Sequence, residues 1–434
     1  MNESRPRVRL IAIGYNTPGT GLTRVMNSVM RRLADRHEIH FLGLGYSGEI
    51  VRDRGLTIYP TNPKGGDVFA AFQAKAFVEE IQPALIFIMH DIWLFDYYVR
   101  ILGPYRDRLK IAVYIPLDGR ITNEENAAPL AETDRVVVYT NFARGEFEGA
   151  FRRLREKHAE REFPAVEVIP HGVDRDHFFP FPELKQVSFA SPGRAQAKGR
   201  VFGNSAGAGE SFVVLNPSRF DKRKRVDLTV QGFARFAADK PANVRLCLHH
   251  AIMDVDSERQ LASLIRQCGL GERVSVNPLG DGIADDAELN LLYNACDVGI
   301  NTSMGEGWGL VSLEHGAAGA AQIVPDHTAC AELWRGHGEL IPPARSYIPE
   351  FSPLEMGEVS PKGVAHALEA LYRDPGRRQE LARAAVSVAQ NPAHSWDVIT
   401  RQFDDLVVGL AGDTEITNAR GELTRRGRGA DRFS

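Results

Sequence analysis

Two glutamates with seven residues between them, Glu306 and Glu314, lie in the stretch 296–333, CDVGINTSMGEGWGLVSLEHGAAGAAQIVPDHTACAEL. A short strand (297–302) is expected to run into a loop holding Gly305, Gly307 and Gly309, and an Ala-rich helix follows to about Gly319. In a parallel sheet, ligands gather at the carboxyl ends of strands, where helix N-termini offer unpaired backbone N–H groups to an anion. Gly307 and Gly309 allow close backbone approach there. Glu306 stands just before the helix and Glu314 about one turn inside it, so one carboxylate can hold a sugar hydroxyl while the other holds a ribose diol. The same pair is open to a plainer reading, a helix cap and a solvated acid. Three glycines at the anion-binding end weigh against that reading, because a purely structural turn seldom needs so many.

A second segment, NPSRFDKRKRVDLTVQGFARF (216–236), follows a candidate strand and places Arg219 and Lys224 on either side of the turn that opens the next helix. An Arg fork and a Lys point charge there can jointly neutralise a diphosphate. Five of the seven residues 219–225 are basic, so a solvated basic loop is the competing reading. A nucleic-acid patch is disfavoured, since only Phe220 is available for base stacking. The third segment, GYNTPGTGLTRVMNSVMRRLADRH (14–37), passes through Gly19 and Gly21 into a helix whose backbone can touch a phosphate or an acceptor. It lacks the GxGxxG fingerprint of dinucleotide enzymes. Arg31, Arg32 and Arg36 read as the solvent face of that helix. The basic helix FEGAFRRLREKHAERE (147–162) is the other candidate for peripheral contact with an anionic membrane, a weak signal in both places.

The chain that must position these groups has 434 residues, enough for two domains with substantial cores. Its net charge of −4 supplies no global attraction to nucleic acid or lipid, so any basic site is local. The longest strongly apolar runs, ALIFIM (84–89) and IAVYIPL (111–117), suit buried strands and fall well short of a membrane span. The N-terminus has too few apolar residues before Gly14 for a secretory signal, so a cytoplasmic protein is expected. Cys247, Cys268, Cys296 and Cys330 show no CxxC spacing and read as buried thiols. His249 and His250 have no companion ligands, and no metal is assigned.

Apolar runs alternate with segments of helical period twice along the chain, the pattern of two parallel sheets covered by helices. Strands are expected at 8–14, 37–45, 84–89, 110–116, 135–140 and 166–172, then at 211–217, 243–251, 273–280, 297–303 and 320–325. The stretch 182–210, rich in Gly, Ala, Ser and basic residues, reads as a loop or linker. The tail from 412 has few apolar residues and reads as disordered.

At these residues the chain resembles glycosyltransferase family 4, the retaining GT-B enzymes that use nucleotide-sugar donors. EGWGLVSLE (306–314) looks like the family's Glu-x7-Glu signature, with Gly319 and Glu332 following at familiar places. SRFDKRK, IPHGVD (169–174) and LYNACDVGINTS (291–302) add independent matches, and the resemblance covers most of 8–410. It implies an α/β GT-B fold, two Rossmann-like doubly wound domains facing a central cleft. The expected division is an acceptor domain at 1–178, a donor domain at 179–395, a helix at 396–411 crossing back to the first domain, and the tail at 412–434. The resemblance also implies that Arg219 and Lys224 bind the donor diphosphate, Glu314 the ribose, and Glu306 with the N–H groups of Gly307, Trp308, Gly309 and Leu310 the donor sugar. Gly21 is expected beside the donor. One departure concerns Asp118, which occupies the place where many members carry a His; it joins Glu306, Arg219 and Lys224 as a candidate catalytic residue. His90 and Asp91 are further candidates at the cleft for the acceptor.

The implied activity is transfer of a sugar from a nucleotide-diphosphate sugar, used as co-substrate with no bound cofactor. The acceptor is left open among sugar, glycan, lipid and small molecule. A non-catalytic GT-B subunit that binds nucleotide sugar for a partner enzyme is the alternative from another class. Within enzymes, an epimerase or a phosphorylase is the further alternative.

Overall fold

Runs of Val, Ile, Leu and Phe that are buried on both faces have no side to turn to water, so they settle in the middle of a sheet with helices above and below. In the computed structural model the chain does this twice. It describes residues 6–61, 65–181, 192–203, 211–250, 254–280, 282–412, 416–417 and 423–424. The first sheet is built from β1 (Arg9–Tyr15), β2 (Glu38–Leu44), β3 (Val51–Asp53), β4 (Leu56–Pro60), β5 (Leu85–Met89), β6 (Lys110–Ile115), β7 (Arg135–Val138) and β8 (Val166–Val168). Its order is β3-β4-β2-β1-β5-β6-β7-β8, and every pair except β3 with β4 is parallel. The second sheet contains β9 (Phe212–Asn216), β10 (Val244–Leu248), β11 (Val274–Val276), β12 (Val298–Ile300), β13 (Ala321–Pro325) and β14 (Glu339–Ile341). It is wholly parallel in the order β11-β10-β9-β12-β13-β14.

Each sheet therefore starts in its middle, winds to one edge and returns to build the other. The reversal falls between β1 and β5 in the first and between β9 and β12 in the second. Loops diverge at such a switch point and leave a crevice at the carboxyl ends of the strands. The two crevices face each other, which makes this a GT-B architecture of two doubly wound domains.

Several sequence expectations change here. The β3–β4 hairpin and β14 escape the reading because they are short and only partly apolar. Within 182–210, read as a loop, Pro192–Phe202 is a helix; Arg194 and Lys198 are buried beneath it, Lys198 on Asp297 at 2.8 Å. The rest of that stretch, 182–191 and 204–210, lies outside the described residues. In the tail read as disordered, Ile416–Thr417 pairs antiparallel with Leu423–Thr424, and the remainder is outside the described residues.

The helix Trp396–Gly412 leaves the second domain and lies on the first. Phe403 meets the rings of Phe87 (5.5 Å) and Tyr114 (5.1 Å), and Asp404 receives His37 at 2.8 Å as well as Arg36. Arg32 reaches Asp397 at 3.3 Å and Arg31 reaches Asp53 at 3.4 Å. The arginines read as a plain solvent face are thus all paired, two of them to the crossing helix. On the other basic helix, Asn141–Lys157, Arg153 and Lys157 are both spent on Glu124 (3.1 and 2.6 Å). Its N-terminus is capped from the second domain: Glu332 accepts from the backbone of Asn141 (2.9 Å) and Phe142 (2.8 Å).

Removing the Phe403 ring leaves a cavity under the crossing helix. Phe403→Ala is expected to lose about 3–5 kcal/mol of stability, read as a lower urea midpoint with both domains affected in one transition. A change confined to the second domain would contradict the docking described.

Candidate active site

Both switch points open on one cleft of about 810 Å³. Tyr15 at the end of β1 and Gly21 at the start of the helix that follows line it, with Asp91 and Trp93 after β5 and Asp118 after β6. The opposite wall is Ser218 to Lys224 after β9, and Glu306 to Leu310 after β12. A Cβ added to Gly21 would stand 3.3 Å from Leu310 Cδ1, so the two walls approach closely there.

Glu306 is 5% exposed and densely held. Its Oε1 accepts from Lys224 Nζ (2.6 Å), Asn301 Nδ2 (3.1 Å) and Ser303 Oγ (2.8 Å), while Arg223 lies 3.5 Å from Oε2. Burial alone would raise its pKa, but Lys224 and Arg223 outweigh it and hold the carboxylate ionised far below the ordinary range. Gly309 caps the helix Leu310–Ala317 at φ +95°, a conformation that costs glycine little, and brings no side chain to its first amides. Gly309, Leu310 and Val311 all line the cleft. The site therefore offers N–H donors, a Lys ammonium and a fixed carboxylate side by side. Arg219 completes it from the rim, half exposed and 3.5 Å from Asp221.

Arg223 is the group that the sequence reading left in the basic run. Its Nε is 3.3 Å from Asp118 of the first domain, its Nη1 reaches Glu306 of the second, and it donates to the carbonyl of Gly305. Asp118 also faces the N–H of Gly307, and burial still leaves its pKa raised despite Arg223. Asp91 is pushed up to about 7 by burial and by the neighbouring charge of Asp118. Gly305 has no freedom to be anything larger, since a Cβ there would sit 1.6 Å from the carbonyl oxygen of Asp118.

Two predicted residues lie elsewhere. Glu314 does not line the cleft; it is buried against Arg24 of the first domain (3.2 Å) and Tyr293 OH (3.1 Å), and burial raises its pKa against the pull of Arg24. Arg24 also holds Asp286 at 2.6 Å. His90 is buried behind the wall, its Nδ1 accepting from the N–H of Asp91 at 2.8 Å. His249 and His250 are also buried, and no metal-competent group of His, Cys, Asp and Glu exists among the described residues.

Sequence reasoning missed Tyr139 and His171 as cleft residues, although His171 belongs to the quoted IPHGVD. Their ring centroids lie 3.9 Å apart with the planes tilted by 46°, and His171 lies 5.6 Å from the Trp308 ring. Tyr139 OH, both His171 nitrogens, Trp308 Nε1 and Ser218 Oγ are buried with no protein partner, and all four residues line the cleft. Leaving such groups unpaired costs about 1–3 kcal/mol each, a cost that a ligand rich in hydroxyls would relieve.

The chain resembles known proteins in sequence and in fold. Residues 201–346 match the family described as Glycosyl transferases group 1. The chain is similar to D-inositol 3-phosphate glycosyltransferase of Salinispora tropica, 27% identical over 296 residues that cover 66% of this chain and 53% of that protein. Mannosylfructose-phosphate synthase of Agrobacterium fabrum is 28% identical over 166 residues, covering 37% of this chain and 33% of that protein. The alignments thus span about half and a third of the lengths of these two relatives. In fold, the sucrose-phosphate synthase of Thermosynechococcus elongatus superposes with a TM-score of 0.68 at 17% identity, over 94% of this chain and all of that one. Anabaena HepE, in complex with UDP and glucose, gives a TM-score of 0.66 at 15% identity, over 93% of this chain and all of that one. By fold the chain has the GT-B architecture, and residues 201–346 of its second domain match Glycosyl transferases group 1.

Arg223→Ala leaves Asp118 and Glu306 facing each other without their shared cation. We expect a loss of about 3 kcal/mol in urea unfolding, where an exposed arginine would cost almost nothing. A second outcome concerns acid. Burial holds His90 near 4 and His171 near 3, both below the ordinary 6.5, so the unfolded chain takes up more protons between those values. Stability is then complete above pH 6.5 and is lost as pH falls, by about 2 kcal/mol per such imidazole at pH 5. The urea midpoint measured from pH 7 to pH 5 should fall accordingly.

Proposed function

We propose that the protein transfers a sugar, with retained configuration, from a nucleotide-diphosphate sugar to an acceptor hydroxyl. The observation that carries this reading is the Lys224–Glu306 pair at 2.6 Å beside the cleft-facing N-terminus of the helix Leu310–Ala317. Lys224 and Arg219 neutralise the diphosphate, and the amides after Gly307 with Glu306 hold the donor sugar against it. The C1–O bond to the diphosphate breaks while the acceptor oxygen bonds C1 on the same face, and the acceptor proton passes to the departing phosphate oxygen. No protein nucleophile is needed; positioning and preformed charge supply the acceleration. Asp118 lies across the cleft, where its carboxylate stabilises positive charge developing at C1. Glu314 takes the ribose by exchanging Arg24 for the diol.

The acceptor belongs to the first domain, beside Asp91. The reading includes no resident metal or cofactor and no nucleic-acid partner. It includes a cytoplasmic location, which the buried free thiols Cys247, Cys296 and Cys330 support. Among the described residues, no helix is long and apolar enough to cross a membrane.

Thermal unfolding with UDP, GDP, ADP and dTDP tests the donor site. One nucleotide should raise the midpoint, by the equivalent of about 2.7 kcal/mol at a hundredfold excess over its dissociation constant, and Arg219→Ala or Lys224→Ala should abolish the shift. Glu306→Gln should keep nucleotide binding and lower turnover about 100- to 1,000-fold. Unchanged turnover would remove Glu306 from the mechanism.

A further inference from the structure

The cleft's charges are divided unevenly between its walls. Among the described residues, every Lys or Arg that lines it, Arg219, Lys222, Arg223 and Lys224, comes from the second domain. Among the described residues of the first-domain wall there is no cation, and its charged members are Asp91 and Asp118. A wall of this kind offers a phosphorylated acceptor no cation of its own.

Beside the acceptor end lies a second hollow of about 720 Å³, which shares Ile92 and Trp93 with the cleft. Trp93 is 53% exposed, whereas Trp308, Trp334 and Trp396 are buried. An indole left this open on the rim between two hollows is a large apolar plate with water on it. The hollow beyond presents Asp96, Arg100, Glu125, Asn126, Glu132 and Arg161. Asp96 and Arg100 pair at 2.7 Å, and the set carries one net negative charge, two guanidiniums against three carboxylates. Carboxylates, an amide and guanidiniums accept from and donate to hydroxyls. A pyranose has one apolar C–H face for the indole and a hydroxyl rim for such groups, and sugars joined in a chain would bring both at once.

Resting on the transferase reading, we propose that the acceptor is a neutral oligosaccharide of two or more sugars. Its terminal sugar enters the cleft beside Asp91, the next ring stacks on Trp93, and the chain continues over the hollow formed with Asp96, Glu125 and Asn126. This separates the chain from relatives whose names carry a sugar or inositol phosphate.

Trp93 is the one exposed tryptophan, so iodide quenching of the full chain's tryptophan fluorescence reads this site without any turnover. The probes are neutral di-, tri- and tetrasaccharides of glucose, galactose, mannose and N-acetylglucosamine, the matching monosaccharides, and glucose 6-phosphate. At least one neutral oligosaccharide should protect the fluorescence saturably, and the monosaccharides and the phosphate should not. By calorimetry, Trp93→Ala should weaken that oligosaccharide about tenfold, a loss of about 1.4 kcal/mol, with Trp93→Phe restoring most of it and nucleotide shifts unchanged in both. Protection by none of the oligosaccharides, equal protection by glucose 6-phosphate, or undiminished binding to Trp93→Ala would overturn the proposal. Loss of every nucleotide shift in the unmodified protein would instead strike the transferase reading, while quenching still reports on the sugar site.

Discussion

Arg223 is the charge on which the arrangement turns. It lies between Asp118 of one domain and Glu306 of the other, and its charge favours the ionised form of both carboxylates. Burial penalises all three groups, yet the net result keeps Glu306 firmly charged. A buried network of this kind is weak evidence for stability in itself, since desolvation consumes much of the Coulombic gain. Its effect is positional. Glu306 is fixed by four donors, so a ligand meets a carboxylate whose orientation has already been set.

The two domains are joined by unlike contacts. The crossing helix supplies apolar area through Phe403 and an acid, Asp404, to His37 and Arg36. Glu332 caps a first-domain helix across the gap, a use of a carboxylate that owes nothing to the donor site. Arg24 ties Glu314 and Asp286 to the first helix of the chain. These polar links can exchange partners at modest cost, whereas the apolar seat of Phe403 cannot, and so the interface has one fixed side and one adjustable side.

Much of this was legible in the sequence. The apolar runs located β1, β2 and β5 through β13; most of these are buried on both faces and advertise themselves by composition alone, while the half-exposed β8 and β11 were found from the apolar residues around them. The β3–β4 hairpin lacked that signal, and the helix Pro192–Phe202 was hidden by Gly, Ala and basic residues whose burial depends on a tertiary partner, Asp297. At the site, Glu306, Lys224 and the glycines after Glu306 were readable from type and spacing and from the family resemblance. Arg223 was not, because one arginine among five basic residues is distinguished only by what lies opposite it. Glu314 was read as a ribose ligand; its pairing with Arg24 spans nearly three hundred residues and no local pattern encodes it. Trp93 and Tyr139 gave no sequence signal, since exposure and orphaned hydroxyls exist only in three dimensions.

Gly305 has a further consequence. With no side chain at that position, the carbonyl of Asp118 lies directly against it, so the walls are spaced by two peptide planes rather than by interlocking side chains. Side-chain spacers can change rotamer and let a gap breathe; peptide planes cannot. The closest approach of the two walls at this point is therefore set by main chain and not by a rotamer. Residues along the rim can vary in size, and hence in what they select, without disturbing this main-chain contact.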